Sequence, residues 1–171
     1  DLLMSDSTNA ESPGITQSEA SVGPVLREII ESAEGRVIAA SFSSHIHRVQ
    51  QICDAAVGAG RKVAFAGRSM LTNISIAREL GYLVIDDKDI IEASQASRLR
   101  PRKVLVMCTG SQGEPLSALA RMANGDHKTV TVERGDTVII AATPVPGNEK
   151  AGNRVINRLA KSGATGGHGG S

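Results

Sequence analysis

Short continuous apolar runs alternate along the chain with apolar positions at helical spacing, and that alternation predicts most of the elements. Thr16-Gln17-Ser18-Glu19 has capping-box spacing, and Val22, Val25, Leu26, Ile29 and Ile30 then share one helical face until Gly35. Residues 36–40 predict a strand and Ser41 to Ser44 a polar loop. A helix with Ile46, Val49, Cys53, Ala56 and Val57 inward then runs to Gly58 and Gly60. The unit repeats with residues 62–66 as strand, Gly67-Arg68-Ser69 as loop, and Met70, Ile74, Ala77 and Leu80 as helix face. Gly81 closes that helix and residues 82–85 predict the next strand. Residues 104–107 are a third strand, Cys108 to Glu114 its loop, and Pro115 starts a helix carrying Leu116, Leu119, Ala120 and Ala123.

Thr129 to Val132 alternate as an edge strand does, Arg134-Gly135-Asp136 turns, and residues 138–142 form an apolar strand. Asn148 then caps a helix with Ala151, Val155, Ile156 and Leu159 inward. Strands alternating with helices imply an α/β fold, a mostly parallel sheet with helices on both faces, because right-handed crossovers bury both sides.

Composition narrows the function classes. No apolar run approaches the ~18 residues of a membrane span, so no membrane partner is expected. Nineteen basic against eighteen acidic residues leave a net charge of +1, so an anionic ligand must be held by local placement of charge. Phe42, Phe65 and Tyr82 are the only aromatics, too few for a base-stacking platform. Cys53 and Cys108 lie among apolar neighbours in no metal-ligand pattern, as reduced interior thiols of a cytoplasmic protein do. The first residues lack a basic targeting region and an initiator Met and read as a cut inside a longer chain, and residues 165–171 read as a Gly-rich linker or joining tail.

Ligands of parallel α/β sheets bind beyond the carboxyl ends of the strands. The chain delivers there Ser41, Ser43, Ser44, His45 and His47, then Gly67, Arg68 and Ser69, then Asp86 and Asp87, then Thr109 to Glu114, Thr143, Gly147 and Asn148. Hydroxyls, glycines and helix N-termini suit an oxyanion, so a phosphate site is the natural expectation. The plainer readings are that Ser43 and Ser44 cap a helix and that Gly110 to Gly113 form a permissive loop. His45-x-His47 lacks the further ligands zinc requires, no nucleotide-binding fingerprint is present, and Arg98, Arg100, Arg102 and Lys103 read as a solvated patch.

The order of the pieces adds a resemblance. Ser5-Asp6-Ser7-Thr8-Asn9-Ala10-Glu11 with Pro13-Gly14, Ser41 to Gln51, Gly67-Arg68-Ser69-Met70, Cys108 to Pro115, and Pro146-Gly147-Asn148-Glu149 together resemble the β-CASP domain of bacterial ribonuclease J, in an actinobacterial form, over residues 1–164. The resemblance implies a flavodoxin- or Rossmann-like domain inserted as a lid over the two-zinc site of a metallo-β-lactamase-fold nuclease that processes and degrades RNA by 5′-to-3′ exonuclease and endonuclease routes. It implies that Asp6 is the motif A acid, orienting a downstream histidine. Ser43, Ser44, His45 and His47 would help hold an RNA 5′-monophosphate, while Arg68, Ser111, Gln112, Gly113 and Glu114 would line the RNA channel. The expected partners are 5′-monophosphorylated RNA and the metallo-β-lactamase domain, and a homodimeric parent is allowed.

The family's H-x-H-x-D-H motif and its other zinc ligands are absent from these residues. No zinc and no other cofactor is therefore expected in the chain itself, and without the metal's activated water the fragment is expected to be inactive. Two rival readings stay open: a free-standing flavodoxin-like domain for a small phosphorylated ligand, and a scaffold module.

Overall fold

Each apolar run that forms a strand is flanked by helical residues apolar on one face, and the only way to bury both is to stack them in layers. The computed structural model describes residues 2–4, 19–109, 117–141 and 166–168. Its elements are β1 (Leu2–Met4), α1 (Glu19–Ser32), β2 (Val37–Ala40), α2 (Ile46–Gly58), β3 (Lys62–Ala66), α3 (Arg68–Glu79), β4 (Ile90–Ile91), β5 (Val104–Cys108), α4 (Ala118–Asn124), β6 (Thr137–Ile140) and β7 (Gly166–His168). Short 3-10 turns at Asp87–Asp89, Ala93–Arg98 and Pro101–Lys103 lead into β4 and β5.

Five strands form one sheet in the order β4-β3-β5-β2-β6, every pair parallel, with Val37 opposite both Leu105 and Thr137. Alternate residues of each strand feed two cores. Val37, Val63, Phe65, Leu105, Met107 and Ile139 meet Leu26 and Ile30 of α1, Val49, Ile52 and Cys53 of α2, and Met70, Ile74 and Ala77 of α3. Ile38, Ala64, Val104, Val106, Val138 and Ile140 meet Ala96, Leu119 and Met122 on the other face. The chain steps one way across the sheet from β2 to β3 to β4 under α2 and α3, then back to β5 and β6 under the Ala93–Arg98 turn and α4. Right-handed crossovers require this change of face when the direction reverses. β1 and β7 form a separate parallel pair, Leu2 opposite Gly166 and Met4 opposite His168.

Two predicted strands are corrected. Residues 82–85 form none: Tyr82 and Val84 are 74% and 72% exposed, and only Leu83 is buried. The Gln50 side chain occupies the backbone of Val84 instead, donating from Nε2 to its carbonyl (2.9 Å) and accepting its N–H at Oε1 (2.8 Å). The strand is Ile90–Ile91, registered on Val63 and Ala64. Residues 129–132 alternate in burial as expected, with Val130 and Val132 inside, but form no ladder, because Val132 N–H donates to Met122 O (3.1 Å) and Thr131 O accepts from Arg36. Val25, Val57 and Leu80, expected inward, are exposed at the rims of their helical stripes. The described part of the helix after β5 begins at the Ser117 cap; Pro115, Leu116, the expected Asn148 helix and the Thr16 to Ser18 cap residues lie outside the described residues.

The amino edge of the sheet is fastened by two buried arginines. Arg61 Nη1 donates to Gly35 O (2.8 Å), Val104 O (3.2 Å) and Pro101 O (3.4 Å), and Nη2 donates to Ala33 O (2.6 Å) and Ile30 O (3.2 Å). Arg36 at the start of β2 forms a bidentate pair with Asp136 before β6, at 2.6 Å and 3.2 Å, and also donates to Thr131 O. Gly35 is required here, because a Cβ on it would lie 2.3 Å from Gly135 O.

Arg61→Leu should therefore lower stability by about 3 kcal/mol or more in urea unfolding, since several buried carbonyls lose their donor at once. Arg61→Lys should recover little of that loss, because an ammonium cannot reproduce the guanidinium fork. In the loop beside this edge, His127 Nδ1 accepts the backbone N–H of Thr129 (3.3 Å) and Val130 (3.2 Å), which requires that nitrogen unprotonated. Burial, then the charge of Arg121, holds its pKa below 6.5. The neutral ring's stabilisation is therefore complete above 6.5 and is lost as pH falls through the depressed folded value. Stability measured between about pH 7 and pH 5 should fall more steeply in the native chain than in His127→Gln.

Candidate functional site

At the carboxyl edge Ser41, Gly67 and Thr109, the first residues after β2, β3 and β5, follow neighbouring strands, since β5 lies between β2 and β3 while α4, the helix after β5, packs on the opposite face. This is a topological switch point, where loops part and leave a crevice. Ser41, 1% exposed, extends the pairing of β2 by donating its N–H to Cys108 O (3.1 Å). Gly67 takes φ +101° against the β5 loop; a Cβ there would sit 2.9 Å from Thr109 Oγ1 and 3.3 Å from Ala118 Cβ. Thr109 O in turn accepts the Leu119 N–H at 3.1 Å, and the Ser117 hydroxyl caps α4 by accepting from Ala120 N–H at 3.2 Å.

The residues of the β2 loop are brought together around the start of α2. His45 occupies the N-cap position, no side chain caps the helix among the described residues, and no acid stands in its first turn. Ser43 and Ser44 therefore do not cap α2, and the plain capping interpretation of these serines fails. Ser43 is half-buried and Ser44 exposed, as His45 is half-buried and His47 exposed on the first turn. Asn73 of α3 donates from Nδ2 to Ser43 Oγ at 2.8 Å, which satisfies the oxygen as acceptor and leaves the hydroxyl proton to be donated elsewhere.

Arg68 is the first residue of α3 and exposed, not a loop residue as expected, because Gly67 alone makes the turn out of β3. Asp86 and Asp87 are corrected more strongly. They precede β4, so they lie at the amino edge of the sheet, and Asp87 pairs there with Arg78 and Asp86 with Lys88 (3.8 Å). Asp6, Ser111, Gln112, Gly113, Glu114, Thr143, Gly147 and Asn148 lie outside the described residues. Sequence reading missed Asn73, which positions Ser43, and Arg48, which is 2% exposed in the first turn of α2. Asn73 carries no motif signal, since it matters only through the packing of α3 beside the β2 loop, while Arg48 lies within the Ser41 to Gln51 motif but nothing in the sequence marks it as buried.

No three His, Cys, Asp or Glu residues gather as metal ligands among the described residues. What the start of α2 can do chemically is donate: hydroxyls, imidazoles and a helix N-terminus lie close in sequence there, with Arg68 at the start of the neighbouring helix, although the small cavity that Ser43 and Ser44 line is otherwise mostly apolar, with Ile46, Ile76 and Leu80. Such a set fits an oxyanion better than a cation or an apolar ligand.

Comparison with known proteins gives a consistent family. The family model for the ribonuclease J β-CASP domain matches residues 34–159. Ribonuclease J of Mycolicibacterium smegmatis is 52% identical over 164 residues, covering 96% of this chain and 29% of that protein. Ribonuclease J of Corynebacterium glutamicum is 52% identical over 96% of this chain and 23% of its own length, and that of Thermus thermophilus 48% identical over 95% and 28%. The chain thus spans less than a third of the curated relatives it matches.

Cys108 closes β5 beneath the crevice, fully buried, and burial pushes its pKa up to about 12. Burial, then Asp54, pushes Cys53 up to about 12 as well. Neither serves as a nucleophile, and both should resist an aromatic disulfide reagent at about pH 8 in the native chain and react together on unfolding. Rapid labelling of Cys108 in folded protein would contradict its place under the loops.

Proposed function

The chain belongs to the ribonuclease J β-CASP domain family, and on that footing we propose that it is the RNA-clamping, 5′-monophosphate-sensing part of a zinc-dependent exo- and endoribonuclease acting in the cytoplasm. The observation that carries the reading is the start of α2, a 13-residue helix that no side chain caps among the described residues and around which Ser43, Ser44, His45 and His47 gather. A terminal phosphate dianion there would receive charge-assisted hydrogen bonds and the favourable end of the helix dipole, whereas a 5′-hydroxyl would receive neither. Asn73 supports this by leaving the Ser43 proton free to point at the anion. Arg68, Ser111, Gln112, Gly113 and Glu114 are assigned by the family resemblance to the RNA channel, and Asp6 to orienting a histidine outside this chain.

On this reading the chain binds the RNA end and is assigned no hydrolytic step. In the full-length nuclease, zinc held by the metallo-β-lactamase domain would supply the activated water. The residues of this chain bind the RNA end and fix its distance from that domain, which makes the isolated chain inactive. Among the described residues no helix is long and apolar enough to cross a membrane, and the two free buried thiols suit a reducing compartment.

The test compares short RNAs bearing a 5′-monophosphate or a 5′-hydroxyl. The chain should bind the monophosphate form more tightly, and Ser44→Ala combined with His47→Ala should narrow that preference about tenfold, the size of one charge-assisted hydrogen bond. The chain should leave both RNAs intact. An unchanged preference in the double variant, or chelator-sensitive degradation by the chain alone, would overturn the reading.

A further inference from the structure

The edge of the sheet opposite the crevice carries an uncompensated positive charge. Arg98, Arg100, Arg102 and Lys103 fall within six residues, all exposed, on the 3-10 turns that feed β5. None of the four forms an ion pair among the described residues. The acids of the neighbouring loop are engaged elsewhere: Asp89 with Lys62 (3.4 Å), Asp87 with Arg78, Asp86 with Lys88. Glu92 is held in the capping box of the Ala93–Arg98 turn. In a chain whose net charge is only +1 with these residues counted, four cations close together and without an ion pair among the described residues form a local positive field.

The patch is also rigidly presented. Buried Arg61 binds the carbonyls of Pro101 and Val104, and Lys103 N–H donates to Arg100 O (2.8 Å), so the backbone under the cations is fixed. A preset spacing of cations suits a ligand with regularly spaced negative charge more than a single anion. Leu99, 38% exposed, is the only large apolar residue among them, so an apolar partner finds little there.

We propose that Arg98, Arg100, Arg102 and Lys103 form a second RNA contact, on the backbone phosphates of the substrate at a distance from its 5′ end. This rests on the RNA reading above. β5 runs from Val104 to Cys108, four steps of about 3.3 Å, so its two ends lie about 13 Å apart. An RNA bound by its terminal phosphate at the carboxyl edge must therefore be long enough to pass around the domain before it meets the patch. The contact reads phosphate and not base, so it adds affinity and salt dependence without sequence preference.

The experiment measures binding of fluorescent single-stranded RNAs of about 4 and about 30 nucleotides across a salt series, with polyglutamate as an acidic-peptide control. Changing all four residues to Gln should reduce the salt slope for the long RNA by up to about 3, at about 0.7 per phosphate contact, and weaken it at least tenfold at low salt. Binding of the short 5′-monophosphorylated RNA should be unchanged. Folding is not at risk from the central substitution, because Arg102 disfavours the buried Arg61 cation; circular dichroism checks the whole set. An unchanged slope and affinity for the long RNA overturns the proposal, as does loss of polyglutamate binding with the long RNA retained. If the terminal-phosphate reading fails alone, the Ser44→Ala, His47→Ala protein keeps its 5′ preference while the patch variant still loses slope. If the chain binds neither RNA, both readings fail.

Discussion

Arg61 is a cation inside the protein whose described partners are all carbonyl oxygens, and the arrangement of the amino edge depends on it. Removing a guanidinium from water costs several kcal/mol, and no carboxylate is used to offset it. The compensation comes from geometry. Ile30 O and Ala33 O are carbonyls at the end of α1, where the helix dipole is negative, and Gly35 O and Val104 O belong to the turn before β2 and the start of β5. One side chain thereby satisfies carbonyls at the buried end of the sheet and ties α1, β2, β3 and β5 together. Arg36 and Asp136 repeat the device between β2 and β6, with a true counterion.

With the amino edge locked, the carboxyl edge is left for loops. Hydrophobic residues fill both faces of the five-stranded sheet, so the sheet offers no chemistry of its own, and variation is confined to where the backbone leaves it. The described residues there are tightly seated: Gly67 lies against Thr109, Ser41 extends the ladder, and Asn73 holds Ser43 from a neighbouring helix. A binding edge built on backbone fixed this closely keeps its donors in place before a ligand arrives, which lowers the ordering cost of binding.

The elements with strong periodicity were legible in the sequence. The runs at 37–40, 62–66 and 104–108 had no other use than as buried strands, and the parallel order followed from their spacing by helices. What failed had an identifiable competitor. Residues 82–85 are apolar enough for a strand, but Gln50, thirty-four residues earlier, satisfies their backbone, and no local pattern reveals a side chain that does so. Residues 129–132 have the alternation of a strand because one face of the segment is buried, and burial without a partner backbone does not make a ladder. The buried roles of Arg36 and Arg61 were invisible, since arginine in a sequence reads as surface. The serines and histidines at 43–47 were legible as a group from position alone, while Asn73 was not, because its role exists only once α2 and α3 pack.

The two edges divide the forces that hold an anionic ligand. The carboxyl edge has dipoles and hydroxyls with one exposed arginine, so on the proposed reading a preference for a doubly charged terminus would come from directed hydrogen bonds that weaken steeply with misplacement. The 98–103 stretch has charge without directed partners, so it attracts any phosphate chain within a Debye length and discriminates little. Had the four cations stood at the crevice, every internal phosphate would have competed with the terminal one for the same donors, and the sensing of an end would be lost. Placed at the far end of β5, about 13 Å away, on turns fixed from beneath by Arg61, they would keep general attraction from blurring the specific choice proposed for the carboxyl edge.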